Sequence, residues 1–132
     1  MPRRGAAPRG SGTRAQASVE LALLLPVVLL LVLAVLQVGL VARDVVLVTH
    51  ASREAARAAA VDDAPGAPRR AALDSSGLVP DRLQVHVGGR AGPGSRVTAT
   101  VTYRIPTTVP LVGALIGDRT VRSEASMRVE GP

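Results

Sequence analysis

The longest apolar run in the chain is LALLLPVVLLLVLAVLQVGLVA, 22 residues from Leu21 to Ala42 without a charged side chain. Pro26 lies about one turn into this run, and Gln37 is its single polar side chain. An amphipathic helix of a soluble protein carries polar residues at every third or fourth position, and none occurs here before Gln37. Because about 20 helical residues span the ~30 Å hydrocarbon core of a bilayer, residues 18–42 are predicted to form a transmembrane helix.

A helical pattern continues beyond the apolar run, in RDVVLVTHASREAARAAAV. One stripe of this segment is polar and comprises Arg43, His50, Arg53, Glu54 and Arg57. A second stripe is apolar or small and comprises Val45, Val48, Ser52, Ala55, Ala56 and Ala59. Ala, Arg and Glu are good helix formers, and Asp62-Asp63 with Pro65-Gly66 then stop the helix. Residues 43–61 are therefore predicted to extend the helix as an amphipathic segment, packed on its own sheet or on neighbouring subunits.

The pattern changes to a period of two in the last third of the chain. Residues 62–82 read as a linker in which Ala71, Ala72 and Leu73 would start a short helix. Three strands are then predicted on residues 83–132, with the first two forming an antiparallel hairpin. Their buried faces comprise Leu83, Val85 and Val87; Val97, Ala99, Val101, Tyr103 and Ile105; and Val121, Ala125, Met127 and Val129. The fold class is thus α+β: one N-terminal transmembrane helix, its long amphipathic extension, and a small antiparallel β-rich head.

An uncharged apolar segment, residues 109–116, lies between the second and third strands and is too short to span a bilayer. One interpretation is a crossover that packs in the core. The other is an interaction patch for a membrane surface or a partner subunit, formed by Leu111, Val112, Leu115 and Ile116.

The net charge of +6 is concentrated at the N-terminus, where residues 1–14 hold four arginines and no acid. A nucleic-acid-binding protein places its basic residues on a folded module, whereas these precede an apolar run, so no nucleic-acid partner is expected. Residues 1–17 are predicted to be a basic, disordered leader. By the positive-inside rule the leader is cytoplasmic and the head lies outside the membrane. A cleaved secretory signal would have a shorter apolar core, about 7–15 residues, followed by a small-x-small site. The 22-residue run does not fit that pattern, so we expect the helix to be retained as an anchor.

Candidate catalytic and ligand-binding residues are absent from the sequence pattern. The chain has no Cys, and His50 and His86 have no metal-ligand spacing to each other or to an acidic cluster. Neither a G-x-S-x-G motif nor a P-loop occurs. We therefore expect no enzymatic activity, no cofactor and no metal.

The string RAQASVELALLLPVVLLL, followed by LQVGLVARDVVLVTHASREAARAAAV, resembles the TadE-like family of minor pilin-like proteins of the Tad system, which assembles Flp pili. The resemblance is close over residues 14–61. It implies that a prepilin-type peptidase cuts between Ala15 and Gln16 and recognises Glu20, which would be fifth in the mature chain. Ala15 departs from the glycine usual before the cut. From the residues alone, the alternative interpretation is that Glu20 is an acid that stabilises the start of a helix, with Ser18 as the N-cap.

The resemblance further implies a non-enzymatic, single-pass protein of a bacterial cytoplasmic (inner) membrane that acts in assembly of Flp-type pili or related secretion machinery. Its partners would be the lipid bilayer, other pilin-like subunits, Tad assembly proteins and the prepilin peptidase. The alternative is a membrane-anchored extracytoplasmic binding or sensor module unrelated to pili.

Overall fold

The computed structural model describes residues 11–106 and 117–130, with side chains from residue 16 onward. The elements in chain order are helix α1, Ser11–Val61; helix α2, Ala67–Ser76; a 3₁₀ turn, Pro80–Arg82; and strands β1, Leu83–Gly88, β2, Arg96–Ile105, and β3, Arg119–Arg128. The α+β class predicted from the sequence is confirmed. The chain divides into two compact units, Met1–Leu36 and Gln37–Pro132.

Helix α1 ends at Val61, as predicted, but begins at Ser11 rather than at Ser18. The prediction that all of residues 1–17 are disordered is therefore wrong for residues 11–17. This segment contains no proline and includes Arg14, Ala15 and Gln16, which favour helix. Because each residue added to an existing helix gains a hydrogen bond without a new nucleation cost, the long helix extends backward through them.

The second unit contains a three-stranded sheet in the order β1-β2-β3. Both strand pairs are antiparallel, with Leu83 opposite Tyr103 in one pair and Val97 opposite Met127 in the other. The predicted hairpin of the first two strands is confirmed. Its loop requires glycine at position 89, where φ is +83° and a Cβ atom would lie 2.7 Å from the carbonyl oxygen of Arg96.

The core of the second unit lies between the outer part of α1 and one face of the sheet. On β2, alternate side chains are buried, as predicted: Val97, Ala99, Val101, Tyr103 and Ile105. The inward side chains of β3 are only half-buried, because β3 is an edge strand of the described sheet. On α1 the buried positions are Val48, Ala51, Ser52, Ala55, Ala56, Ala59 and Ala60. Small helix residues therefore meet β-branched strand residues in the core.

The predicted packing stripe of α1 needs two corrections. Val45, placed on the stripe by its helical spacing, is exposed, whereas Ala51 and Ala60 are buried. Buried positions therefore recur at spacings of three and four from Val48 onward, as on one face of a helix. The polar stripe is confirmed in its arginines and in His50, which are exposed.

Helix α2 occupies the middle of the segment predicted as a linker. It begins at Ala67, earlier than the predicted start at Ala71, and Pro68 lies in its first turn, where a missing N–H costs nothing. It ends at Ser76, and the following residue, Gly77, has a φ of +64° that allows its N–H to donate to the carbonyl oxygen of Leu73. The helix buries Ala72 against the core.

Arg90, in the loop between β1 and β2, caps the C-terminal end of α1. Its Nη1 donates to the carbonyl oxygen of Ala59 at 2.6 Å and to that of Asp62 at 2.9 Å, and its Nη2 pairs with Asp63. The last carbonyls of a helix lack intrahelical partners and carry a partial negative charge. Arg90 therefore fastens the hairpin loop to the helix end through a guanidinium.

Candidate membrane-anchoring and processing site

The first part of α1 exposes its apolar side chains on every side. All residues from 16 to 32 are exposed, including Leu21, and Leu25 and Leu31 leave about two thirds of their surface uncovered. In water, a helix normally buries its apolar side chains against other parts of the protein. Among the described residues this is the one helix long and apolar enough to cross a membrane, with a mean hydropathy of 3.0 in its most apolar window.

Pro26 lies inside this exposed segment and interrupts its backbone ladder. A proline has no N–H, so the carbonyl oxygen of Ala22, one turn earlier, lacks its usual helical donor. Prolines are tolerated in membrane helices when nearby groups satisfy the released carbonyl. Pro26 is therefore compatible with the predicted span.

Gln37 departs from the exposed pattern. Only 6% of its surface is accessible, and its Oε1 atom has no hydrogen-bond partner among the described residues. An amide oxygen buried without a donor costs about 1–3 kcal/mol. The sequence identified Gln37 as the polar residue of the span, but its burial could not be inferred from the uncharged run around it.

The C-terminal boundary of the predicted span is the charged pair that follows Ala42. Ala42 and Arg43 are exposed and Asp44 is half-buried. Val46, beyond this pair, leaves 67% of its surface uncovered. Exposed apolar surface on α1 thus continues about one helical turn past Ala42.

The candidate processing residues lie in the first turns of α1. The amide Nε2 of Gln16 donates to the carboxylate Oε1 of Glu20 at 3.4 Å, and both side chains are exposed. Ala15, whose backbone is helical, directly precedes this pair. The helix therefore presents Gln16 and Glu20 together, one turn apart, at the beginning of the apolar segment.

Two other predicted features complete the description of the site. The apolar segment 109–116, with Leu111, Val112, Leu115 and Ile116, lies outside the described residues. Among the residues that the structure describes, no group of three or more His, Cys, Asp or Glu side chains is arranged to hold a metal ion. His50 and His86 are both exposed and lie on different elements.

These features define a class of protein: a single N-terminal apolar helix consistent with single-pass membrane anchoring, continued into an α+β head. The family model of TadE-like proteins matches residues 15–57. The match confirms the resemblance identified in the sequence and connects this segment with proteins of Tad pilus systems. It begins at Ala15, covers the whole predicted span and ends at Arg57, before the sheet begins.

No curated protein and no solved structure matches the chain, so these comparisons provide no relative with which to compare the sheet.

Proposed function

We propose that the protein is a non-enzymatic, single-pass, pilin-like component that acts in assembly of Flp-type (Tad) pili or related secretion machinery. One observation carries the proposal: the segment that matches the TadE-like family includes the helical stretch, residues 16–32, that is exposed at every position. A helix of this kind requires lipid or the helices of other subunits around it. Both environments exist for a subunit that leaves the membrane to join a fibre.

The proposed location is the cytoplasmic membrane of a bacterium, with residues 1–17 in the cytoplasm, residues 18–42 in the bilayer, and the extension 43–61, linker 62–82 and head 83–132 outside. Four arginines precede the span, whereas Arg43 after it is offset at once by Asp44. This asymmetry supports a cytoplasmic N-terminus.

The orientation is testable by cysteine labelling, because the natural chain has no cysteine. Ala17→Cys and Gln84→Cys are a matched pair of exposed positions on opposite sides of the span. In right-side-out membrane vesicles, a membrane-impermeant maleimide is expected to label the Gln84→Cys variant only, and to label Ala17→Cys after the vesicles are opened. Labelling of Ala17→Cys in sealed vesicles would contradict the orientation.

We propose further that a prepilin-type peptidase cuts between Ala15 and Gln16 and reads Glu20. The exposed carboxylate of Glu20, held one turn from Gln16, supports this assignment. Mass spectrometry of the chain extracted from native membranes is expected to give an N-terminus at Gln16. Ala15→Gly should increase the processed fraction and Glu20→Ala should abolish it. An intact N-terminus at Met1 or Pro2 in the natural chain and in Ala15→Gly would refute processing.

The role in assembly is tested in a host that makes Tad pili. Deletion of the gene is expected to remove or shorten the pili, and expression of the natural chain should restore them. If pili form normally without the protein, the alternative of a membrane-anchored binding or sensor module replaces the pilus role. In that case the genes adjacent to this one should not encode a secretion ATPase, a platform protein or a prepilin peptidase.

A further inference from the structure

The outer face of the sheet, which points away from α1, carries an excess of positive charge. Its charged side chains are those of Arg96, Arg104, Arg122, Arg128 and Glu124. Four guanidinium groups therefore share this face with one carboxylate. Between them lie hydroxyl-bearing residues of β2 and β3, including Thr98 and Ser126.

Two of these arginines occupy directly opposite positions. Arg96 on β2 pairs in register with Arg128 on β3. The Cβ atoms of such cross-strand neighbours lie about 5 Å apart, and like charges in this arrangement destabilise a sheet. Glu124, the acid of this face, is opposite Thr100, two cross-strand rows away on the same face. Among the described residues, neither Arg96 nor Arg128 forms an ion pair.

The surroundings of the pair hold one of the two guanidinium groups in place. Nε of Arg128 donates to the carbonyl oxygen of Gly94 at 3.2 Å, which leaves both Nη atoms to face other groups. Gly94 is itself fixed, because its N–H donates to the carbonyl oxygen of Val129 at 3.0 Å. The N–H of Val129 donates in turn to the carbonyl oxygen of Ser95 at 2.8 Å. These bonds continue the pairing of β2 and β3 beyond the two arginines.

An open cavity of about 460 Å³ adjoins the pair, lined by Gly94, Ser95, Arg96, Ser126, Met127 and Arg128. The hydroxyls of Ser126 and Thr98 are 2.8 Å apart and share a hydrogen bond. Since one proton serves that bond, the second hydroxyl proton remains available as a donor. Of the two residues, Ser126 lines the cavity, and its proton is available there when Thr98 donates the shared bond. The cavity thus combines two cations with the hydroxyl group of Ser126, and no acidic side chain lines it.

We propose that Arg96, Arg128 and Ser126 form a binding site for an oxyanion of the phosphate class. Guanidinium groups bind phosphate through paired, charge-assisted hydrogen bonds. An anion between the two arginines would replace their mutual repulsion with two attractive contacts. The site lies outside the segment that matches the TadE-like family, and the proposal does not depend on the pilus role proposed above.

The experiment uses the full chain in detergent, titrated with inorganic phosphate, acetate or sodium chloride at equal ionic strength. The arginine side-chain N–H signals in the NMR spectrum report binding. Phosphate is expected to shift the signals of Arg96 and Arg128 in a saturable way, and acetate to bind at least about threefold more weakly because it offers fewer acceptor oxygens. Arg96→Gln or Arg128→Gln should weaken phosphate binding about tenfold, since each removes a charge-assisted contact.

Arg122→Gln is the matched control, because Arg122 lies on the same face of β3 but opposite Thr102 instead of an arginine. It should leave phosphate binding within about twofold of the natural chain. A second readout separates binding from folding: in chloride alone, Arg96→Gln should unfold at the same or a higher urea concentration than the natural chain, because it relieves the repulsion. The proposal would be overturned by equal phosphate affinity in all variants, measured on the arginine signals that remain, or by equal shifts with phosphate and chloride.

Discussion

The hydroxyl oxygens of Ser52 on α1 and Ser123 on β3 lie 3.0 Å apart and join the helix to the edge strand of the sheet. Ser52 also donates to the carbonyl oxygen of Thr49 at 2.8 Å. Because this bond uses the single hydroxyl proton of Ser52, Ser123 must be the donor of the bond between the two serines. Ser52 is fully buried, whereas Ser123 is half-buried.

Ser52→Ala is expected to lower the free energy of unfolding by about 1 kcal/mol, because it removes the buried acceptor of Ser123. Ser123→Ala should cost less, about 0.5 kcal/mol, since Ser52 keeps its bond to Thr49. Tyr103 is the only aromatic residue of the chain and lies in the core, so its fluorescence reports unfolding of the head. Urea titrations of the full chain in detergent provide the measurement.

The double variant Ser52→Ala/Ser123→Ala tests whether the two effects are coupled. If the hydroxyls interact, its cost should be smaller than the sum of the two single costs by about 0.5 kcal/mol or more. Ser75→Ala, at an exposed position on α2, is the control and should have little effect. Strict additivity would show that the contact between the serines contributes nothing measurable.

Arg90→Gln is expected to destabilise the head by about 1–2 kcal/mol, because it removes the guanidinium from the carbonyl end of α1. Asp63→Asn separates this cap from the ion pair. Asp63 is 85% exposed, so loss of its pairing with Arg90 should cost at most about 0.5 kcal/mol. The same urea titration measures both variants. If Asp63→Asn is as costly as Arg90→Gln, the ion pair and not the cap fastens the loop.

Much of this fold was predictable because its patterns are strong and local. The alternation on β2 predicted its buried face, since a strand side chain points to one face or the other. The stop at Val61 followed from the Asp and Pro-Gly signals after it. The resemblance to the TadE-like family also came from local sequence, and the family match confirms it.

The errors arose where small side chains carry little hydropathy. Ala51 and Ala60 are as compatible with an exposed helix face as with a buried one, so the sequence alone does not place them in the packing stripe. Val45 has the helical spacing of that stripe but is exposed. The cap formed by Arg90 had no local signal, because the arginine is separated from Ala59 by 31 positions in the chain. Such contacts depend on how the hairpin packs on the helix, which periodicity does not encode.

Ala55→Leu tests the close packing of helix and sheet. Ala55 is fully buried in the main core cluster, so added methylene groups would force the sheet away from α1. Overpacking of this kind is expected to cost about 1–3 kcal/mol. The control, Arg57→Leu, also introduces a leucine, but at an exposed position of the same helix. It should change stability by less than about 0.5 kcal/mol. Equal stability of Ala55→Leu and the natural chain would mean that the core has room for the larger side chain.

Leu30→Arg tests the membrane role of the exposed apolar segment. Leu30 lies in the middle of the run 21–42, where an arginine costs about 2.5–3.5 kcal/mol on insertion scales. The variant is expected to lose a large part of its membrane-bound fraction, measured by carbonate extraction and sedimentation. Arg53→Leu, at an exposed position of the outer helix, is the control and should stay in the membrane. Full retention of Leu30→Arg would contradict a lipid-facing span.

Gln37→Met is expected to stabilise the protein, in contrast to Ser52→Ala and Ala55→Leu. The side chains are similar in length and flexibility, but Met has no amide oxygen to leave buried without a donor. Removing that cost should raise the free energy of unfolding by about 1 kcal/mol, measured by urea titration of the full chain in detergent. Leu36→Met, at the exposed neighbouring position, should be neutral. A loss of stability in Gln37→Met would show that Oε1 accepts a hydrogen bond from a donor outside the described residues. If stability rises but pili are lost when the variant replaces the natural chain, the Gln37 amide is an assembly contact with a donor on another subunit.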